Sequence, residues 1–110
     1  MTNPYQGEVT LQMNGKIYTM RLTLGALAEL EDRFATQGLL ALIERFEKGL
    51  FTSEELSLLV YVGLKGAGWN GAFEDVKTAQ FEGGISGLVQ TVSQLLSLAF
   101  LGKIERTHGA

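Results

Sequence analysis

The chain has 110 residues, of which 45 per cent are apolar and 19 per cent charged, with a formal net charge of −3 and no cysteine. This length fits one domain, and this balance supplies enough apolar surface for a core, which excludes an intrinsically disordered chain. The lack of cysteine excludes disulfides and thiolate metal sites, and the basic residues are scattered, so we expect no nucleic-acid partner and a cytoplasmic location.

The first predicted element is a β-hairpin over residues 8–22. Glu8–Met13 and Lys16–Leu22 alternate polar and apolar residues, and Asn14-Gly15 between them suits a two-residue turn with positive φ. This loop pairs Met13 with Lys16, Leu11 with Tyr18 and Val9 with Met20, which places the large apolar side chains on one face. Because two strands alone are marginal in water, that face must be covered.

At Thr23 the apolar period changes from that of a strand to that of a helix. Thr23 caps a first helix, which the i,i+4 pair Glu29–Arg33 supports. A shorter second helix follows Gly38; the pair Glu44–Lys48 supports it and Gly49 ends it.

Three further helices are predicted in the second half of the chain. The sequence Thr52-Ser53-Glu54-Glu55 is a capping box that starts the third. After a turn-rich break at Gly66–Gly71, a short fourth helix runs from Phe73 through Gln80 and stops at Gly83-Gly84. The last apolar stripe lies within Ile85–Leu101.

These elements predict a single domain over residues 1–110 of the α+β class, mainly α. The hairpin covers 8–22, a bundle of four to five helices covers 23–101, and 102–110 form a flexible tail. Serine, glutamine and glycine residues interrupt the apolar stretch Ile85–Leu101. We therefore expect a core helix there and no membrane partner.

One glycine motif matches a cofactor-binding pattern. Gly66–Gly71 reads Gly-Ala-Gly-Trp-Asn-Gly and fits the dinucleotide spacing G-x-G-x-x-G. That motif holds a pyrophosphate only when it leaves a buried parallel strand and opens a helix, whereas here a helical pattern precedes it. We interpret it as a helix end and turn, and we expect no cofactor.

The polar residues give no catalytic constellation. The pairs Glu54-Glu55 and Glu74-Asp75 lie in first helical turns, where the helix dipole favours negative charge. His108 stands near the end of the chain, and the serines have no nearby histidine to activate them. We therefore expect no catalytic site, no metal and no enzymatic activity.

Surplus apolar surface is the remaining candidate for function. So small a domain cannot bury every large side chain, and exposed rings are anchors for partners. Burial in the core is the alternative for each ring. The candidate partner-binding residues are Phe51, Trp69, Phe73, Leu98, Phe100 and Leu101.

The order of these elements resembles a known family. A short hairpin, then Leu22–Glu31 (LTLGALAELE), then Gly63–Gly68 (GLKGAG), then the apolar helix Gly87–Phe100, is similar to the small tail proteins of bacterial gene transfer agents and related tailed phages. These proteins are described as tail assembly chaperones, and in some classifications as tail tube proteins. The resemblance covers about Glu8–Leu101, and Leu22–Glu31 is its most specific part.

The resemblance implies a non-enzymatic tail assembly chaperone that shields the apolar, helical tape measure protein in the bacterial cell and hands it to the polymerising tail tube. The tape measure protein is then the partner, with the tail tube protein and further copies of this chain as open alternatives. The second interpretation is a structural tail (tube) component retained in the mature particle. Tail tubes are built on extensive β-structure, which this sequence does not offer, and a nucleotide-binding enzyme would rest on the glycine match alone.

Overall fold

Two short strands followed by five helices make up the computed structural model, which describes residues 7–34 and 38–108, with 103–108 as backbone only. The strands are β1 (Glu8–Met13) and β2 (Lys16–Arg21). The helices are α1 (Leu24–Arg33), α2 (Leu39–Glu47), α3 (Ser53–Gly66), α4 (Phe73–Lys77) and α5 (Gly84–His108). This order confirms the predicted α+β class.

The hairpin has the predicted turn and register. Asn14 and Gly15 have φ values of 55° and 77°, the left-handed conformation that a two-residue turn requires. Met13 pairs with Lys16, and the rest of the ladder follows in the expected antiparallel register. The inner face of the hairpin is buried, while Ile17 on its outer face is 71% exposed.

The fourth helix is shorter than predicted, because Gln80 belongs to a β-contact and not to a helix. α4 ends at Lys77, and Phe81 forms an isolated antiparallel bridge with Met13. The N–H of Asn14 donates to the carbonyl of Gln80 over 2.8 Å, and the N–H of Gln80 donates to the side-chain oxygen of Asn14 over 2.9 Å. The segment after α4 thus covers the end of β1, with partners distant in sequence.

The helix starts follow the predicted capping chemistry. The Thr23 hydroxyl accepts a hydrogen bond from the N–H of Ala26 at the start of α1. At the start of α3 the Thr52 hydroxyl accepts from the N–H of Glu55, whose carboxylate accepts from the N–H of Thr52. Each such cap is worth about 1 kcal/mol.

Helix α3 packs against β2, α1, α4 and α5, and close contact depends on two of its glycines. A Cβ on Gly63 would lie 2.9 Å from Leu95 Cδ2. A Cβ on Gly66 would lie 2.0 Å from the carbonyl oxygen of Arg21. The core that these contacts seal consists of Val9, Leu11, Met13, Met20, Ala26, Leu27, Leu30, Phe34, Leu39, Leu42, Ile43, Phe46, Leu56, Leu59, Val60, Val62, Leu64, Val76, Leu88, Val92, Leu95 and Leu96.

Helix α5 is buried along one stripe only. Leu88, Val92, Leu95 and Leu96 are in the core, and no described side chain after Leu96 is fully buried. Its segment Gly84–Gly102 is long and apolar enough, by length and composition alone, to cross a membrane. One such helix is weak evidence, since a core helix meets the same criteria. The backbone of α5 continues through residues 102–108, beyond the predicted end of the helical part.

Candidate partner-binding surfaces

The six sequence-predicted residues fall at three separate places in the fold. Phe51 precedes α3, Trp69 and Phe73 lie between α3 and α4, and the other three lie on α5. Because α3 has 14 residues, its two ends are about 20 Å apart, so Phe51 and Trp69 cannot share one contact site. The structure brings only Trp69 and Phe73 together as an aromatic group.

That group centres on Tyr61, which the sequence analysis did not single out. The ring centroid of Tyr61 lies 6.4 Å from that of Trp69, edge to face, and 5.4 Å from that of Phe73. All three rings are half-buried. The signal for Tyr61 was its place one turn before Lys65 on α3, where i,i+4 side chains meet.

Two lysines lie over these rings. Lys65 Nζ is 5.1 Å from the centroid of Tyr61, and Lys77 Nζ is 5.5 Å from that of Phe73. Both distances fall within the range of cation–π attraction, and both lysines are exposed. We name this surface the α3–α4 patch; it consists of Tyr61, Lys65, Trp69, Phe73 and Lys77.

The position of Trp69 depends on the glycine two residues later. A Cβ on Gly71 would lie 2.0 Å from Cζ2 of the indole, so the ring packs directly against the backbone of Gly71. Any larger residue there must push the ring outward. Trp69-Asn70-Gly71 therefore fixes one edge of the α3–α4 patch.

Phe51 packs at the opposite end of α3. Its ring stacks on Phe46 at 4.6 Å with an interplanar angle of 7°, and Phe46 meets Phe34 edge to face at 6.3 Å. The Arg45 guanidinium lies 5.6 Å above the ring of Phe34. Phe51 is thus half-buried against the core, and its role in partner binding stays a prediction.

An ion pair joins α2 to the start of α3 beside these rings. Arg45 Nη2 donates to both carboxylate oxygens of Glu55 over 3.1 Å. Burial raises the pKa of Glu55, but the N–H of Thr52 and the Arg45 guanidinium outweigh it and hold that pKa below its ordinary value of 4.5. Glu55 is accordingly a structural carboxylate, engaged in a cap and an ion pair.

The outward side of α2 carries exposed apolar residues that the sequence analysis assigned no role. Leu40 is 52% exposed, and Leu50 just beyond the helix is 60% exposed. Leu40, Glu44 and Glu47 lie on one helical face because their spacing is i, i+4, i+7. We name this surface the α2 face; it consists of Leu40, Ala41, Glu44, Glu47 and Leu50.

One predicted ion pair forms and another does not. Arg33 Nε lies 3.2 Å from Glu29 Oε1, as expected. Glu44 and Lys48 make no ion pair, because Lys48 is the C-cap of α2 and has left the helical position that would align the two side chains. The carboxylates of Glu44 and Glu47 have no ion-pair partner among the described side chains.

The three candidates on α5 differ in exposure. Leu98 and Phe100 are half-buried against the core, and Leu101 is 53% exposed. They occupy the part of α5 that follows its last buried residue. Like Phe51, they remain predicted partner contacts.

The glycine motif has a structural explanation. Gly66 ends α3 against the Arg21 carbonyl, and Gly68 has φ +99°, a conformation suited to glycine after a helix. The motif therefore follows a helix and does not leave a parallel strand, as a dinucleotide site requires. Glu54 and Glu74 lie in first helical turns, and the described residues contain no group of three or more potential metal ligands. The His108 side chain lies outside the described part of the chain.

Comparison with known proteins places the chain in a family. A family model described as "Phage tail tube protein, GTA-gp10" matches residues 6–102. No curated protein and no solved structure matches the chain. The printed description names the tail tube, which agrees better with the structural alternative than with the chaperone interpretation that the sequence analysis put first. The chain belongs to the phage tail tube protein GTA-gp10 family, as the resemblance to gene transfer agent and phage tail proteins indicated.

Proposed function

We propose that the chain is a non-enzymatic structural component of the tail of a gene transfer agent or phage particle and is retained in the mature particle. The family match over residues 6–102 carries this proposal, because its description is that of a tail tube protein. The exposed apolar surface supports a role in protein–protein contact. The α3–α4 patch and the α2 face both offer large side chains of the kind that anchor interfaces.

A tail assembly chaperone is the second candidate, favoured by the architecture. In the described part of the chain the sheet has two strands and one isolated bridge, and helices make up most of the remainder. A tube built on extensive β-structure has little to use here. A helical domain with exposed apolar faces suits transient binding of a long apolar helix. The partner would then be the tape measure protein, bound in the cytoplasm during assembly.

Mass spectrometry of purified particles, combined with a pull-down from producing cells, separates the two candidates. If the chain is a structural component, it is abundant in finished particles, with many copies for each tape measure protein. If it is a chaperone, it is recovered with the tape measure protein from cells and is missing from particles. Recovery in neither fraction would refute both proposals.

Catalysis has its own test. The structural family suggests no enzymatic activity, and the glycine motif offers the one alternative that the sequence raised. The purified chain is titrated with NAD and ATP by isothermal calorimetry, and we expect no heat of binding. Saturable binding that Gly68→Ala abolishes, with the fold intact, would contradict the non-enzymatic proposal. Gly66→Ala is unsuitable for this test because Gly66 is a packing residue.

A further inference from the structure

The α3–α4 patch carries two positive charges without a compensating carboxylate. Lys65 and Lys77 lie over aromatic rings, and neither has an ion-pair partner among the described side chains. The nearest acidic residues in sequence do not neutralise them: Asp75 is engaged by the N–H of Ala72 over 2.9 Å. A partner that brings carboxylates to this surface gains both charge and ring contacts.

The α2 face offers the complementary chemistry on the same molecule. Glu44 and Glu47 are exposed carboxylates without ion-pair partners among the described side chains. Leu40 and Leu50 flank them with apolar surface, more than half exposed in each case. Carboxylates framed by leucines match lysines framed by aromatic rings in both charge and polarity.

One molecule cannot join its own two surfaces. The α2 face adjoins the start of α3, as the contacts Arg45–Glu55 and Phe46–Phe51 show. The α3–α4 patch lies at the other end of α3, about 20 Å away. Contact between the two surfaces therefore requires a second copy, and because the surfaces differ the contact repeats from copy to copy and does not close as a two-fold dimer.

We propose that the α3–α4 patch of one copy binds the α2 face of the next, so that the chain assembles head to tail. Lys65 and Lys77 pair with Glu44 and Glu47 of the next copy, and the exposed leucines pack against Trp69 and the neighbouring rings. This inference rests on the proposed structural function, since it supplies the repeated contact that a tail component needs.

Charge reversal tests the proposal on the purified full chain by sedimentation velocity at increasing protein concentration and low salt. The wild type is expected to form species larger than a dimer as concentration rises, and added salt is expected to reverse this. The patch variant Lys65→Glu/Lys77→Glu and the face variant Glu44→Lys/Glu47→Lys should each self-associate at least about tenfold more weakly. The matched control Lys16→Glu/Glu82→Lys changes exposed charges elsewhere and should associate as the wild type does.

Mixing the two charge-reversed variants gives the decisive result. The patch variant keeps an intact α2 face and the face variant keeps an intact patch, so an equimolar mixture should regain association. A chain carrying all four reversals should regain it as well. The proposal is overturned if the wild type stays monomeric, if either reversed variant associates like the wild type, or if the mixture stays monomeric. Particle content tests the proposed function independently, so either idea can fail alone.

Discussion

Replacing Gly66 by alanine is the sharpest test of how the hairpin joins the helical part. A Cβ at this position would lie 2.0 Å from the carbonyl oxygen of Arg21 and 3.1 Å from its carbonyl carbon. Both atoms belong to backbone at the end of β2, so no side-chain rotation relieves the clash. Either α3 or the end of β2 must move, which disturbs the buried face between them.

The expected loss can be worked from this contact. Overpacking typically costs about 1–3 kcal/mol, and a clash with fixed backbone belongs at the upper end of that range. Alanine returns less than about 1 kcal/mol through its higher helix propensity, because Gly66 is the last residue of α3. We therefore expect a net loss of about 2 kcal/mol, from a total stability on the order of 5–15 kcal/mol. The melting temperature should fall by roughly 10 °C.

Urea unfolding followed by circular dichroism measures this loss, and Gly25→Ala is the matched control. Gly25 lies on α1 with open space around it, its nearest neighbour being Thr23 Oγ1 at 4.0 Å. Alanine there should leave stability unchanged or raise it by about 0.5 kcal/mol. If Gly66→Ala proved as stable as the wild type, α3 would not approach β2 as closely as described.

Three further predictions concern other parts of the molecule. Gly71→Ala should push the Trp69 ring into solvent and shift its fluorescence emission to longer wavelength with little change in stability; an unshifted spectrum would contradict the ring–backbone contact. Glu55 has a lowered pKa in the folded state, so its stabilisation is fully present above the unfolded value and is lost as pH falls through the folded pKa; the wild type should lose melting temperature more steeply than Glu55→Gln as the pH falls below 4.5, and parallel curves would refute the assignment. Leu95→Ala should cost about 2–5 kcal/mol in urea unfolding, whereas Leu101→Ala should change stability by less than about 0.5 kcal/mol; equal effects would mean that α5 is buried along its whole length.

Much of the fold was predictable because it rests on chemistry between near neighbours in sequence. Asn14-Gly15 sets the turn, and strict alternation on both sides then leaves one register that buries the apolar face. Thr23 and Thr52 start their helices through bonds that span three residues. The pattern of apolar residues also placed the long last helix, whose buried stripe shares one face.

The candidate surfaces were only partly predictable. Trp69 and Phe73 were chosen from their place in a connection, and the structure brings them together through Tyr61. Leu40 and Leu50 read as part of an amphipathic helix, and only packing shows which side of α2 stays open. The six predicted partner contacts remain predictions.

By itself the sequence determined the hairpin, the helix starts and the family, because each depends on residues within a few positions or on a pattern along most of the chain. Tertiary structure decided the bridge between Phe81 and Met13, the approach of Gly66 to Arg21, and the opposite placement of the α2 face and the α3–α4 patch. These features join segments distant in sequence, where the fit of whole surfaces, and not local preference, selects the contact.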